Sequence, residues 1–102
     1  MTTSLLARYR VRDIEAFRAV FDDFEGTRRA HGSTGHALLV AGPHDVIAII
    51  DFPDGDAARG FAAAPERAEA LDRAGVEERQ DVVADLVERV AYSNLRDPAT
   101  AG

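Results

Sequence analysis

The sequence predicts one small α+β domain whose strands and helices follow in the order β-α-β-β-α-β. A chain of 102 residues has room for one domain, and 46% hydrophobic with 29% charged residues is typical of a globule. Segments of alternating apolar residues are followed by segments with helical spacing, and this sequence of patterns occurs twice. We therefore expect residues 1–92 to form the domain and residues 93–102 to form a flexible C-terminal tail.

The first half of the chain reads as a strand, a long helix and a second strand. Residues 4–11 alternate as a strand does, and Asp13 is suited to cap a following helix. Between residues 14 and 30 apolar side chains recur three and four positions apart, which predicts a helix with one buried stripe. Gly32 is expected to end it. Residues 36–40 then predict the second strand.

The second half begins with a tight connection at residues 42–45 and a third strand at residues 46–52. Asp54 or Asp56 is expected to cap the next helix, and Pro65 is expected to restart it after a break at Ala64. Residues 82–92 fit both helical and strand spacing. We predict a strand there because a fourth strand completes the sheet and because valine is frequent in the segment. The result is a ferredoxin-like plan with a four-stranded antiparallel sheet.

The third strand is apolar on both of its faces. Residues 46–50 read Val-Ile-Ala-Ile-Ile, whereas the helices of this plan cover only one face of the sheet. Leaving several such side chains in water would forgo several kcal/mol, at about 25 cal/mol per Å² of apolar surface. We therefore predict a homodimer that forms through the uncovered sheet face.

Composition excludes several classes of function. The net charge of −6 comes from dispersed acidic residues, which argues against a nucleic-acid partner. All basic residues are arginine, which excludes a lysine Schiff base and is typical of a GC-rich bacterial genome. The absence of cysteine excludes disulfides and thiolate metal sites. No apolar run approaches the roughly 20 residues that span a membrane, and no leader is apparent, so we expect a cytoplasmic protein.

The chain also resembles a known superfamily. The residues that carry this resemblance are Asp45, the apolar strand 46–52, Asp54, Asp56, Phe61, Pro65-Glu66, Ala74-Gly75-Val76 and the opening segment 9–24. Over residues 4–91 they resemble the dimeric α/β-barrel superfamily, and more narrowly the small bacterial proteins grouped with antibiotic-biosynthesis monooxygenases and cyclases. The resemblance implies that two sheets meet in a barrel and that each subunit holds a pocket between sheet and helices.

Relatives in that superfamily include cofactor-free oxygenases of aromatic polyketides, polyketide cyclases, muconolactone isomerases and haem-degrading enzymes. This sequence departs from the haem-degrading pattern of Asn, Trp and His, because it has no Trp and its single Asn is Asn94. The missing Trp also separates it from those oxygenases that employ one. We therefore expect no haem and no other bound cofactor.

Three side chains are candidates for catalysis. His36 opens the second strand, and the imidazole of histidine is suited to acid–base chemistry near neutral pH, although a strand-end histidine is often only exposed. His31 lies at the helix end, where positive charge also suits the helix dipole. Tyr9 lies in the middle of the first strand, where its hydroxyl can orient a ligand oxygen or bond to a neighbouring backbone group. His44 is expected to be an exposed turn residue.

The candidates for ligand binding are aromatic. Phe17, Phe21, Phe24 and Phe61 are placed to wall a flat aromatic ligand, and plain core packing is the alternative. The three histidines match no zinc spacing, so no metal is predicted. Arg8 and Arg10 share the other strand face, where burial would require a carboxylate such as Asp51.

Two functions remain open from the sequence. The first is a small-molecule enzyme without metal or bound cofactor, an oxygenase or cyclase acting on an aromatic or polyketide-type substrate, with His36 or His31 moving a proton and Tyr9 orienting an oxygen. The second is a non-catalytic homodimeric module that binds a hydrophobic metabolite or has no ligand. The number and polarity of side chains that converge on one cavity would separate them.

Overall fold

The structure is a computed structural model that describes residues 1–92. The tail predicted at residues 93–102 lies outside the described residues. The elements in chain order are β1 (Thr3–Val11), α1 (Ile14–Asp23), α2 (Glu25–Ala30), β2 (Gly35–Gly42), β3 (Asp45–Phe52), α3 (Gly55–Ala62), α4 (Pro65–Arg73) and β4 (Val76–Asp85). Across the described residues, none of the helices is long and apolar enough to cross a membrane.

The four strands form one antiparallel sheet in the spatial order β2-β3-β1-β4. Strand β1 lies in the middle, paired with β3 on one side and with β4 on the other, and β2 forms the outer edge beside β3. The first and third strands are thus neighbours although a helical segment and another strand separate them in sequence. This arrangement confirms the predicted fold class, an α+β protein with a ferredoxin-like βαββαβ order.

The fourth strand lies earlier in the chain than predicted. We expected it at residues 82–92, but β4 spans Val76–Asp85, and residues 86–92 belong to no helix or strand. The predicted bounds are therefore wrong. The register pairs Tyr9 with Arg79 and Ala7 with Asp81, so both charged residues lie on the sheet face that packs on the helices. Charged side chains at inward positions remove the apolar alternation by which a strand is recognised.

The helix predicted at residues 14–30 is divided at Phe24 into α1 and α2. The Phe24 N–H donates to the carbonyls of Val20 and Phe21, at 3.0 and 3.2 Å, which is a common arrangement where a helix ends. The Phe21 carbonyl also accepts from the guanidinium of Arg28, at 2.6 Å. Arg28 of α2 therefore bonds back across the break to the end of α1.

The other helix boundaries agree with the sequence. Asp13 accepts a hydrogen bond from the N–H of Ala16, and Asp54 rather than Asp56 caps α3 by accepting from Ala57, each at 2.8 Å. Pro65 occupies the first turn of α4 after a break at Ala64. Gly32 and Gly75 follow α2 and α4 with φ of 98° and 79°, which favour glycine because other residues are strained there.

The two faces of the sheet differ in what covers them. On the face toward the helices, alternate residues of β1 and β3 are fully buried. On the opposite face, which we call the open face, the register aligns Val82, Leu6, Ile49 and Ala37 in one row across all four strands. Val82 is 59% exposed, Leu39 47% and Leu6 36%. The sheet therefore has apolar residues on both faces, as the sequence indicates.

Candidate functional site

A small cavity lies between the sheet and the helices, where the resemblance places a pocket. Its volume, measured as the space open to the centre of a water molecule, is about 20 Å³, which is room for about one water. The surface that faces it is almost entirely apolar. The residues around it are Tyr9, Phe17, Val20, Phe21, Phe24, Arg28, Ile50, Phe61, Arg67, Ala70, Leu71 and Ala74.

Five of the twelve residues around the cavity are aromatic. The Tyr9 and Phe17 ring centroids are 5.5 Å apart, and those of Phe17 and Phe21 are 5.7 Å apart. On the other side the centroids of Phe24 and Phe61 are 6.1 Å apart. These spacings fall within the range of favourable ring-to-ring packing. The structure therefore brings Tyr9 and all four candidate phenylalanines around one cavity.

The hydroxyl of Tyr9 is held by a partly buried ion pair. Arg67 donates from Nη2 to the Tyr9 hydroxyl at 2.9 Å. The same guanidinium donates to both carboxylate oxygens of Asp81, at 2.8 and 2.9 Å, and to the carbonyl of Ala62 at 3.0 Å. The Arg67 side chain is 2% exposed and that of Asp81 is 25% exposed. The neighbour of Tyr9 is thus a side chain rather than a backbone group.

This ion pair changes the pKa of each of its members. Burial by itself would raise the pKa of Asp81, but the hydrogen bonds and the charge of Arg67 outweigh it and hold that pKa below its usual value. Burial likewise opposes the charge on Arg67, and the bonds to Asp81 and Tyr9 raise its pKa overall. Burial raises the pKa of Tyr9, although Arg67 acts against the change. The phenol therefore keeps its proton at neutral pH.

Arg67 also carries a hydrogen-bond donor that is not used. Its Nε is buried and has no partner among the described residues. Since the two Nη atoms face Asp81 and Tyr9, Nε is the one donor left for an additional acceptor.

A second buried arginine, Arg28, has a different environment. Its guanidinium carbon lies 3.8 Å from the centroid of the Phe21 ring, and its one side-chain hydrogen bond in the described structure goes to the Phe21 carbonyl. No carboxylate of residues 1–92 forms an ion pair with it. Burial lowers the pKa of Arg28, and the charges of Glu25 and Asp22 offset this only in part.

The predicted catalytic histidines lie outside the cavity wall. His36 is exposed, and its ring packs edge-on against Phe21 with the centroids 5.1 Å apart. His31 packs against Phe61 at 5.5 Å, and its Nε2 lies 3.7 Å from a carboxylate oxygen of Glu66. Each histidine therefore contacts the outer side of a ring that lines the cavity, and neither shares the cavity with Tyr9.

The other polar candidates are accounted for by local contacts. The Nδ1 atom of His44 lies 3.0 Å from the carbonyl oxygen of Val11. In the part of the chain that the structure describes, no three His, Cys, Asp or Glu side chains are grouped as metal ligands would be. On the open face Arg8 lies 3.7 Å from Asp45, and Arg10 lies 3.8 Å from Glu77.

Asp51 is therefore not the carboxylate that pairs with Arg8 or Arg10, and that expectation is wrong. Asp51 instead accepts a hydrogen bond from the Ser4 hydroxyl at 2.6 Å and lies 3.7 Å from Arg89. The register explains the difference, because Arg8 and Arg10 lie opposite Ile47 and Asp45, whereas Asp51 lies opposite Ser4 at the other end of the strand.

Three residues of this site are missing from the candidates that the sequence supplies: Arg28, Arg67 and Asp81. Arg28 lies in the last turn of a helix, where a basic residue has an ordinary electrostatic reason to occur. Arg67 and Asp81 are 14 positions apart, on a helix and on a strand. The sequence signal for this pair would be a charged residue at an inward position of α4 and another at an inward position of β4. The position of Asp81 can be recognised as inward only when the bounds of β4 are known.

The fold and the cavity together define a class: a small α+β protein with a small cavity, partly lined by aromatic rings, between a four-stranded antiparallel sheet and its helices. No protein-family model matches the sequence, and no curated protein matches it. The similarity lies in solved structures. SnoaB, a cofactor-independent oxygenase from Streptomyces nogalater, has a TM-score of 0.73 at 17% identity, over 89% of this chain and 98% of that one.

Two further solved structures have similar TM-scores and sequence identities to this chain. Rv0793 from Mycobacterium tuberculosis has a TM-score of 0.64 at 16% identity, over 89% of this chain and 100% of that one. A candidate antibiotic biosynthesis monooxygenase from Caulobacter crescentus has a TM-score of 0.66 at 17% identity, over 85% and 91% of the two chains. The chain thus has the ferredoxin-like fold of the antibiotic-biosynthesis-monooxygenase-like proteins, which confirms the resemblance at the level of fold. Its activity has to be argued from its own residues.

Proposed function

We propose that this protein is an enzyme that oxygenates or cyclises an aromatic or polyketide-type substrate in the cavity between sheet and helices, without a metal or bound cofactor. The observation that supports it is the cavity itself, where four phenylalanine rings surround a phenol whose position is held by Arg67. Such walls suit a flat, apolar ring system. The fold shared with a cofactor-independent oxygenase is consistent with this chemistry.

The proposed oxygenation takes its electrons from the substrate. An activated methylene carbon between aromatic rings loses both of its hydrogen atoms and gains one oxygen atom of dioxygen, which converts it to a carbonyl. The other oxygen atom leaves with the two hydrogen atoms as water, so the carbon is oxidised, dioxygen is reduced and no external reductant is required. The protein has to bind the substrate, favour loss of a methylene proton and hold the negative charge that develops on the substrate oxygen.

Tyr9 is the residue we assign to hold that oxygen. Its hydroxyl accepts a hydrogen bond from Arg67, which leaves its own proton free to donate to a carbonyl or phenolate oxygen. Burial keeps the phenol protonated because it raises the pKa. Arg67 increases the donor strength of the hydroxyl, since a hydrogen bond from a cation polarises the group that accepts it.

The roles of His36 and His31 in proton transfer are proposals that require movement. His36 is separated from the cavity by the ring of Phe21, and His31 by the ring of Phe61. A cavity of about 20 Å³ is also far smaller than the roughly 300–1,000 Å³ of a typical ligand pocket. Substrate binding therefore has to displace these rings, and displacement of Phe21 would bring the substrate next to His36.

The test measures oxygen uptake with dithranol, a hydroxylated anthrone, in the presence of a chelator. We expect uptake above the uncatalysed rate, with the quinone product formed in equal amount. Substitution Y9F removes the donor and is expected to lower kcat about 100-fold, the usual effect of losing one oxyanion donor. Y92F is the matched control, because Tyr92 is 72% exposed and does not line the cavity.

The second candidate function is the non-catalytic module, which is favoured by the small number of polar groups that reach the cavity. It predicts that dithranol binds but is not oxidised faster than in buffer. Equal rates with the wild type, with Y9F and without protein, together with measurable binding, would reject the enzyme and support this alternative.

We further propose that the open face pairs with a second copy of the chain. The partly exposed apolar row of Val82, Leu6 and Ile49 supports this proposal, because a sheet face of this kind is stabilised when it is covered. Light scattering after gel filtration is expected to give the mass of a dimer.

The variant L39E is expected to have the mass of a monomer, because it places a charge on the open face. The control is V87E, which changes an exposed residue outside the sheet and is expected to keep the dimer mass. A monomer at all concentrations would contradict the proposal.

A further inference from the structure

The buried guanidinium of Arg28 forms no ion pair with any carboxylate of residues 1–92. The residue is 2% exposed, and its guanidinium is held by one carbonyl oxygen and by the face of the Phe21 ring. Neither neighbour carries a negative charge. Burying a cation without an ionised partner is costly, so such an arrangement is rare unless something compensates for it. An anion that binds beside Arg28 would supply the missing charge.

Arg28 also lies between two spaces. One is the aromatic cavity, and the other is an outer groove of about 580 Å³ that is lined by Glu25, Arg28, Arg29, residues 33–35 and His36. We call this second space the Arg28 groove. Phe21 contacts Arg28 and His36 and also lines the cavity. Arg28 therefore lies between the cavity and the groove, because it lines both, and Phe21 packs against it from the cavity side.

The charge of the Arg28 groove is opposite to that of the whole protein. Arg28 and Arg29 contribute two positive charges and Glu25 one negative charge, which leaves +1 in a chain whose net charge is −6. Glu25 lies 3.4 Å from the Nη1 atom of Arg29, so its carboxylate already has a partner. Since no carboxylate of residues 1–92 forms an ion pair with Arg28, its guanidinium is the positive charge in the groove that is left for an anion.

We propose that Arg28 binds the anionic group of the substrate in this groove while the ring system enters the aromatic cavity, so that the substrate is an aromatic molecule with a carboxylate or phenolate at one end. The proposal rests on the proposed function, since it takes the cavity as the place where the rings bind. A planar guanidinium is suited to two parallel hydrogen bonds with a carboxylate. The charged end can bind in the open groove, and the apolar surface of the cavity favours the ring system.

The experiment compares two probes of matched shape, naphthoate and naphthamide, by calorimetry on the full-length protein. We expect naphthoate to bind about 10- to 100-fold more tightly, the range that a charge-assisted hydrogen bond supplies. R28M is expected to remove this preference, so that the variant binds naphthoate and naphthamide with equal affinity. R29M is the matched control, because Arg29 is exposed in the same groove and carries the same charge.

The outcomes separate this proposal from the proposed function. Equal binding of acid and amide by the wild type overturns the anion site but leaves the cavity as a binding site. An equal loss of preference in R28M and R29M also overturns it, because the effect is then one of general surface charge. If neither probe binds, both proposals are wrong. The wild-type comparison of acid with amide decides the matter even if R28M does not fold.

Discussion

The two buried arginines of this protein are equally hidden from solvent and are held in different ways. Arg67 and Arg28 are each 2% exposed, and both line the aromatic cavity. Within residues 1–92, the side chain of Arg67 makes four hydrogen bonds, two of them to the carboxylate of Asp81, whereas the side chain of Arg28 makes one, to a backbone carbonyl. Burial alone therefore does not distinguish a structural cation from one that is available to a ligand.

The difference indicates what each arginine does. The Arg67–Asp81 pair connects α4 to β4 and positions the hydroxyl of Tyr9, so its charge is used inside the protein. Arg28 stabilises the break between α1 and α2 through the Phe21 carbonyl, but its charge has no partner among the described residues. Measurements of stability can test this contrast, because removing half of a buried pair and removing an unpaired buried charge have opposite electrostatic consequences.

The largest decrease in the free energy of unfolding is expected for D81A. It leaves the guanidinium of Arg67 buried without a counterion, and we expect the free energy of unfolding to fall by about 3 kcal/mol. R67M is expected to cost less, about 1–2 kcal/mol, because Asp81 is 25% exposed and its carboxylate can turn to water. Urea unfolding measures both, and the double variant R67M/D81V is expected to recover most of the loss. Equal losses below about 1 kcal/mol in both single variants would show that the pair contributes little.

A smaller effect is expected at acid pH. The pKa of Asp81 is lower in the folded protein than in the unfolded chain, so the folded state binds fewer protons. The stabilisation is therefore present above the unfolded value, near pH 4 for an aspartate, and is lost as pH falls through the folded pKa. We expect R67M to lose less stability than the wild type between about pH 6 and pH 3, as measured by urea unfolding.

The control for acid pH is R28M, which leaves the Arg67–Asp81 pair intact and should keep the wild-type dependence on pH. Because the other carboxylates titrate in all three proteins, only the difference between R67M and the other two reports on Asp81. Identical pH profiles for all three proteins would mean that Arg67 does not lower the pKa of Asp81.

Most of the fold could be predicted because the local patterns agree with it. The apolar stripe of α1, the caps at Asp13 and Asp54 and the break before Pro65 are short-range features, and each follows from residues a few positions apart. The bounds of β4 could not be predicted, because Asp81 occupies an inward position that the strand pattern reserves for apolar residues. Only the contact with Arg67 makes that position favourable.

The part of the site that depends on local sequence patterns could also be predicted. Tyr9 and the four phenylalanines that line the cavity follow from the periods of a strand and of two helices. His36 and His31 are catalytic candidates because of the chemistry of histidine. The sequence does not show that each would lie outside the cavity, packed against Phe21 or Phe61. The environment of Arg28 depends on the break at Phe24, where the spacing of apolar residues continues without interruption.

The smallest change in the free energy of unfolding is expected for R28M. This variant tests the contrast between Arg28 and Arg67 most directly. Methionine keeps the apolar stem and removes a charge that has no ionised partner, at the cost of one hydrogen bond and the contact with the Phe21 ring. These terms oppose each other, so we expect the free energy of unfolding to lie within about 1 kcal/mol of the wild-type value. Urea unfolding of R28M beside R67M measures the difference. A loss in R28M as large as that in D81A would show that Arg28 is as structural as Arg67, and the reason for assigning its charge to a ligand would then disappear.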